Sequence, residues 1–176
     1  MHRGYAIECL CSHRRERFQL TFARTVIELL PQAEETAFEP SRKGLTVLAE
    51  TEMELERPLA RLRAVYGEDV RIEPPVVRFQ RGEQLEEPHM GLRVLCSPQH
   101  FDHVRRDLLL RHAALLDAEL NEQFGVVRAC APLTLLVGYP ARIRQLTAGR
   151  GQLAMWLSHY APVVQKGGPP NGDSLA

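Results

Sequence analysis

The sequence predicts an α+β protein made of two successive copies of one unit, β-α-β-β-α-β. Each copy is a four-stranded antiparallel sheet with both helices on one face. Three observations carry this. Alternating apolar runs and runs of helical spacing follow one another in the same order in both halves of the 176 residues,. Proline and glycine fall mostly between those runs,. A charged connector, "QRGEQLEEPH", separates the two copies, which makes the pair an internal repeat of about 80 residues,.

Tyr5–Ser12 reads as the first strand. Ser12 can cap a helix that runs to about Leu30, with Phe18, Phe22, Val26, Leu29 and Leu30 at helical spacing and Pro31 as its stop,. "ETAFEPSRKGLTVLAE" reads as a hairpin turning at Pro40–Gly44,. The second helix is placed at Pro58–Tyr66, with Leu59, Leu62, Val65 and Tyr66 inward. Thr51-x-x-Glu54 has the form of a capping box and would start it earlier, but that start puts Pro58 in the interior at a cost of about 3 kcal/mol,. Gly67 ends the helix, and "DVRIEPPVVRF" is a strand bent at Pro74-Pro75.

In the second copy "GLRVLCS" is a strand, and Ser97-Pro98 opens a helix that buries Phe101, Val104 and Leu108,. "LLDAELNEQ" and "GVVRACAPL" are strands meeting at Phe124-Gly125. A helix follows near Pro140–Thr147. The final strand, "GRGQLAMWLSHYAPV", puts Leu153, Met155 and Leu157 on one face,. The architecture is two tandem ferredoxin-like sandwiches.

Composition narrows the function. Apolar residues make up 44%, enough for a core, and a chain this long buries roughly 70% of its surface,. The net charge is zero, which argues against a purely electrostatic binder of nucleic acid but not against a local patch,. Residues 1–90 hold 13 basic and 16 acidic side chains, net −3; residues 91–176 hold 9 and 6, net +3. Twenty of the 22 basic residues are Arg, the side chain suited to bidentate phosphate contacts, although GC-rich coding gives the same bias and is the favoured cause,. No apolar run approaches the roughly 20 residues of a membrane span, and the N-terminus lacks signal-peptide form, so a cytoplasmic protein with no membrane partner is expected,.

Cys9, Cys11, Cys96 and Cys130 sit in strand-like runs without Cys-x-x-Cys spacing, so no metal is expected,. His100-x-x-His103 lacks a third ligand and reads as a helix start. A strand puts Cys11 and His13 on one face, but no third group orients them as a catalytic pair,. Glu52, Glu54 and Glu56 read as a solvated acidic face,.

The stretch "QLTAGRGQLAMWLSHY" asks whether Thr147, Gly149 and Gly151 cradle a phosphate. A P-loop needs strand, glycine loop, then helix. Here the order is helix, glycines, strand, and GxxxxGK[ST] is absent from the sequence. Gly149 reads as a helix C-cap and Gly151 as a close approach of helix and strand.

The same stretch carries a resemblance. Val126–Pro132, Gly138-Tyr139, Ile143-Arg144, Thr147-Ala148-Gly149-Arg150-Gly151 and His159-Tyr160 follow the order of motifs in the C-terminal domain of elongation factor G and its relatives. "EPHMGLRVLCSPQHFDHVRRDLL" resembles the entry into that domain, and residues 5–80 resemble the family's third domain, chiefly in element order. The resemblance implies a third-domain-like unit at 1–82, a linker at 83–90 and a C-terminal-domain-like unit at 91–165, and the Gly/Pro-rich polar composition of "QKGGPPNGDSLA" predicts a disordered tail at 166–176,. The family's GTPase domain and β-barrel have no counterpart in this sequence.

By resemblance, the chain is expected to be a non-enzymatic module that binds the ribosome, ribosomal RNA or a translation GTPase, without cofactor or GTP. The candidate contacts are Arg105, Arg106 and Arg111 on the third helix, and Arg142, Arg144 and Arg150 around the fourth helix and its turn,. Gly138, Tyr139, Thr147, Gly149, Gly151 and Tyr160 are the structural residues of the motif. Aromatic platforms for single-stranded RNA are scarce: Trp156 and Tyr160 are strand residues, for which core or interdomain packing is the alternative,. The alternative is a regulatory module that binds a protein or small ligand between the two units.

Overall fold

A computed structural model describes residues 4–163. Among these residues the strands form two sheets of one topology. The first unit contains β1 (Ile7–His13), α1 (Gln19–Leu29), β2 (Thr36–Ser41), β3 (Gly44–Ala49), α2 (Glu52–Tyr66) and β4 (Val70–Ile72), in the strand order β2-β3-β1-β4. After the proline pair, β5 (Val76–Val77) returns to pair with the start of β1, Ile7 opposite Val77. β6 (Gln80–Arg81) then leads into the second unit. That unit contains β7 (Leu85–Cys96), α3 (Pro98–Leu110), β8 (Ala114–Leu120), β9 (Gly125–Pro132), α4 (Tyr139–Leu146) and β10 (Gln152–Pro162), in the order β10-β7-β9-β8. All these pairings are antiparallel. The fold is two tandem ferredoxin-like sandwiches.

The alternation that predicted the strands also builds the cores. Ile7, Cys9 and Cys11 turn one face of β1 inward, and Met90, Leu92 and Val94 do so on β7. Each fully buried Leu or Ile removes enough apolar surface from water to contribute about 1.5–3 kcal/mol. Gly91 and Gly125 have steric reasons. A Cβ at Gly91 would lie 2.5 Å from the Trp156 indole, and one at Gly125 would lie 2.5 Å from the Phe101 ring.

Three expectations are corrected. Ser12 does not cap α1, because β1 continues to His13 and residues 14–18 turn before the helix starts at Gln19. Gln19 organises that turn: its Nε2 donates to the carbonyls of His13 and Glu16, and its Oε1 accepts from the His13 N–H. Phe18 is thereby left outside the core, 68% exposed.

Second, α2 begins at Glu52 and carries Pro58 in its interior. The Thr51–Glu54 capping box is formed, and Glu54 Oε2 accepts the N–H groups of Glu50 and Thr51 at 2.9 and 3.2 Å. The early start also buries Leu55 and Pro58 beside Leu59 and Leu62. Capping and burial together outweigh the lost proline hydrogen bond. Val65, expected inward, is exposed.

Third, most of the segment expected as a linker at 83–90 is strand, since β7 starts at Leu85 and pairs with β10 from Glu86 onward. The expected tail at 166–176 lies outside the described residues. No helix among the described residues is long and apolar enough to cross a membrane.

Candidate functional site

The glycine turn after α4 is a helix C-terminus locked from within. Thr147 is fully buried; its Oγ1 donates to the Ile143 carbonyl at 2.7 Å and accepts the Gly151 N–H at 2.9 Å. The Gly149 N–H donates to the Arg144 carbonyl and the Ala148 N–H to that of Gln145, the two bonds of a Schellman motif,. The Arg150 N–H donates to the Thr147 carbonyl. All four N–H groups from 148 to 151 are thus engaged internally, and none is free to hold a phosphate. Gly151 is required because a Cβ there would lie 2.6 Å from Thr147 Oγ1. Gly149 has φ +74°, as a C-cap glycine should, but the first left-handed residue of the turn is Ala148, with φ 49°.

The six candidate arginines separate into three groups. Arg111 and Arg142 converge on one carboxylate that the sequence reading missed, Asp107 on α3. Arg111 Nε reaches Asp107 Oδ2 and Arg142 Nε reaches Oδ1, both at 2.9 Å. Arg111 also donates to the Leu135 carbonyl and lies 5.0 Å above the Tyr139 ring. Tyr139 is wholly buried, and burial together with the charge of Asp107 pushes its phenol well above the usual tyrosine range. These groups tie α3 to α4. The only forewarning in the sequence was the spacing Asp107 to Arg111, an i,i+4 pair,.

Arg144 belongs to the junction of the units, facing Glu56 at 3.4 Å. Both side chains are more than half exposed, so this pair contributes no more than about 1 kcal/mol,. Two stronger contacts flank it. The Gly138 N–H donates to Glu52 Oε2, and the Leu157 N–H on the edge strand β10 donates to Glu50 Oε1, each at 2.7 Å. Gly138 has φ +77°, a left-handed conformation that glycine adopts without strain,. The acidic run read as a solvated face is therefore structural: Glu54 caps α2, while Glu52 and Glu56 meet the second unit. Tyr160 is half-buried in β10 within 4 Å of where a Gly4 Cβ would stand, and burial raises its phenol.

Arg105, Arg106 and Arg150 are exposed and form no ion pair among the described residues. They remain available to a partner. Trp156 lies on the outer face of the second sheet, 46% exposed over Gly91.

His13 is a satisfied residue: its ring meets Phe22 and Tyr66 edge-on, and its Nδ1 accepts the N–H groups of Arg15 and Glu16. Cys11 is fully buried, and its hydrogen bond with Cys9, then burial, pushes its thiol far up. No thiolate-imidazole pair forms. A cleft of about 620 Å³ lies between α2, the segment from β4 to the proline pair and Arg144, with Cys9, Leu59, Arg63 and Glu73 in its lining.

The family model described as Elongation factor G C-terminus matches residues 84–167. Residues 84–167 belong to the elongation factor G C-terminal family. Elongation factor G 2 of Vibrio cholerae is 39% identical over 79 residues, 45% of this chain and 11% of the relative. Elongation factor G 1 of Pseudoalteromonas atlantica is 38% identical over 81 residues, 46% of this chain and 12% of the relative. Ribosome-releasing factor 2, mitochondrial, of Danio rerio is 32% identical over 84 residues, 48% of this chain and 11% of the relative. This chain therefore spans only 11 or 12% of the length of these relatives. The crystal structure of ttk003000868 from Thermus thermophilus superposes on 93% of this chain with a TM-score of 0.64 at 16% identity, over 42% of its own length. That likeness covers both units and concerns their fold. In the elongation factor G-like unit, Gly138 bonds Glu52 of the first unit, Tyr139 is buried in the core, and Thr147 and Gly151 lock the turn after α4.

The Asp107 clamp is expected to matter for folding and the free arginines are not. Asp107→Ala should lower stability by about 1–3 kcal/mol in urea unfolding, while Arg105→Ala and Arg106→Ala stay within about 0.5 kcal/mol. Equal effects from all three would refute the division. Ala148→Gly should raise stability by about 1 kcal/mol, because glycine relieves a left-handed alanine; a lower melting temperature would contradict the Schellman assignment.

Proposed function

We propose that this chain docks on the ribosome, through ribosomal RNA or a translation GTPase, as a module that itself hydrolyses no GTP. One observation carries the reading: a domain of the elongation factor G C-terminal family presents Arg105, Arg106 and Arg150 exposed and without ion-pair partners among the described residues. Arginine at such positions matches phosphate in a fork geometry. The internal bonding of the glycine turn leaves it no part in nucleotide binding. The setting in this reading is the cytoplasm, and the contacts need no cofactor. The division into a third-domain-like unit ending near residue 82 and a C-terminal-domain-like unit belongs to the same reading.

A second reading is supported by the cleft beside α2, where Arg63 and Arg144 stand near Glu73 and the Cys9 thiol. There the chain would act as a regulatory module for a small ligand or protein.

Co-sedimentation with ribosomes across a salt series separates the two. The docking reading expects pelleting at low salt that weakens steeply as salt rises, because counterions are released from phosphate. The triple reversal Arg105→Glu, Arg106→Glu and Arg150→Glu should weaken pelleting by about tenfold or more. A chain that stays in the supernatant at every salt concentration leaves the cleft reading standing alone.

A further inference from the structure

We propose that the first unit carries its own binding site for single-stranded RNA, at the end of its sheet where β1 leaves for α1. This surface is separate from the arginines of the second unit, and the inference does not rest on ribosome docking.

The topology collects the charges. After His13 the chain runs Arg14, Arg15, Glu16, Arg17, Phe18. The β2–β3 turn brings Arg42 and Lys43 to the same end, because Cys11 pairs with Leu45. Gly44 packs so closely there that a Cβ would run into the Cys11 carbonyl oxygen. β4 adds Arg71, the cross-strand partner of Ser12. The Arg14 N–H donates to the Asp69 carbonyl, which fixes the departing chain beside the end of α2.

Six cations therefore meet on a half of the chain whose net charge is −3. Two are neutralised: Arg15 pairs with Asp69 at 2.9 Å, and Arg71 with Glu73 at 2.7 Å. Arg14, Arg17, Arg42 and Lys43 are exposed and form no ion pair among the described residues. Glu16, Glu68 and, on β2 beside the hairpin turn, Glu39 are further exposed carboxylates at or next to this end. Ser12, His13, Arg14 and Arg71 line a recess of about 420 Å³.

Charge alone would fit any anion, and Phe18 narrows the choice. The residue is 68% exposed, with the Arg17 guanidinium 5.9 Å from the ring centroid. An exposed aromatic ring beside an unpaired arginine, at the end of the sheet that carries the other cations, can stack an unpaired base while cations follow the backbone,. The site also stands apart from the junction of the units. Glu52 opens α2 at the junction and Tyr66 closes it beside the tip, a distance of about 20 Å along a helix of 15 residues,.

The test is fluorescence anisotropy of a fluorescein-labelled oligouridylate titrated with the chain. It uses the background Arg105→Glu, Arg106→Glu, Arg150→Glu, so that the second unit does not contribute and a failure here is distinct from a failure to bind ribosomes. Binding should weaken as salt rises. Reversing Arg14, Arg42 and Lys43 to Glu should weaken it by about tenfold or more and lower the log–log salt slope by about 2, from about 0.7 per lost contact to a single strand. Phe18→Ala should weaken it by about tenfold with the slope unchanged. These residues are exposed, so the melting temperature serves as a control for folding. Absence of binding, or binding unaffected by the charge reversal, overturns the proposal. So does a Phe18→Ala variant that binds normally while oligoglutamate competes as well as unlabelled RNA, since the surface would then accept acidic protein.

Discussion

The carboxylates of Glu50 and Glu52 accept the backbone N–H groups of Leu157 and Gly138, each at 2.7 Å, and this bracket joins the two units. A hydrogen bond to a charged acceptor contributes about 1.5–3 kcal/mol, more than an exposed ion pair. The bracket also solves a problem for each element that it joins. β10 is an edge strand, whose outward N–H groups would otherwise be open to pairing with another chain,. Gly138 can present its N–H because glycine tolerates the left-handed conformation there,. On the other side, Glu54 holds the N–H groups of Glu50 and Thr51, so the segment that carries the bracket is itself capped.

The second unit shows how similar residues take different roles. Arg111 and Arg142 look like surface cations in the sequence, yet both are committed to Asp107, whose side chain is 11% exposed. Arg111 further covers the buried Tyr139. Leaving that carboxylate without its partners would strand a charge in a region of low dielectric. Arg105, Arg106 and Arg150 lack such an anion among the described residues, so their charges face outward. Of the six candidate arginines, two hold α3 against α4, Arg144 faces the first unit, and three face outward.

Much of this fold was legible because period-2 alternation and helical spacing report burial directly, as in Ile7, Cys9 and Cys11 on β1 or Phe101, Val104 and Leu108 on α3. The glycine turn was legible too, since the order helix, glycines, strand excludes a phosphate loop. What was not legible depended on competition between energies or on distant partners. Pro58 argued against an early α2, but a capping box and the burial of Leu55 outweighed it. Phe18 fell on the helical spacing, yet the His13–Gln19 hydrogen bonds end the strand later and push the ring into water. The connector looked like a linker because it is charged, although half of a strand's side chains can face solvent. Asp107 was missed because Arg142, its second partner, lies 35 residues away.

The bracket is tested most directly by amide hydrogen exchange at Leu157, in the intact chain and in Glu50→Ala. The account predicts a slowly exchanging Leu157 amide that becomes fast in the variant, with the Val94 amide of the central strand unchanged. A Leu157 amide that exchanges at the same rate in both chains would contradict it.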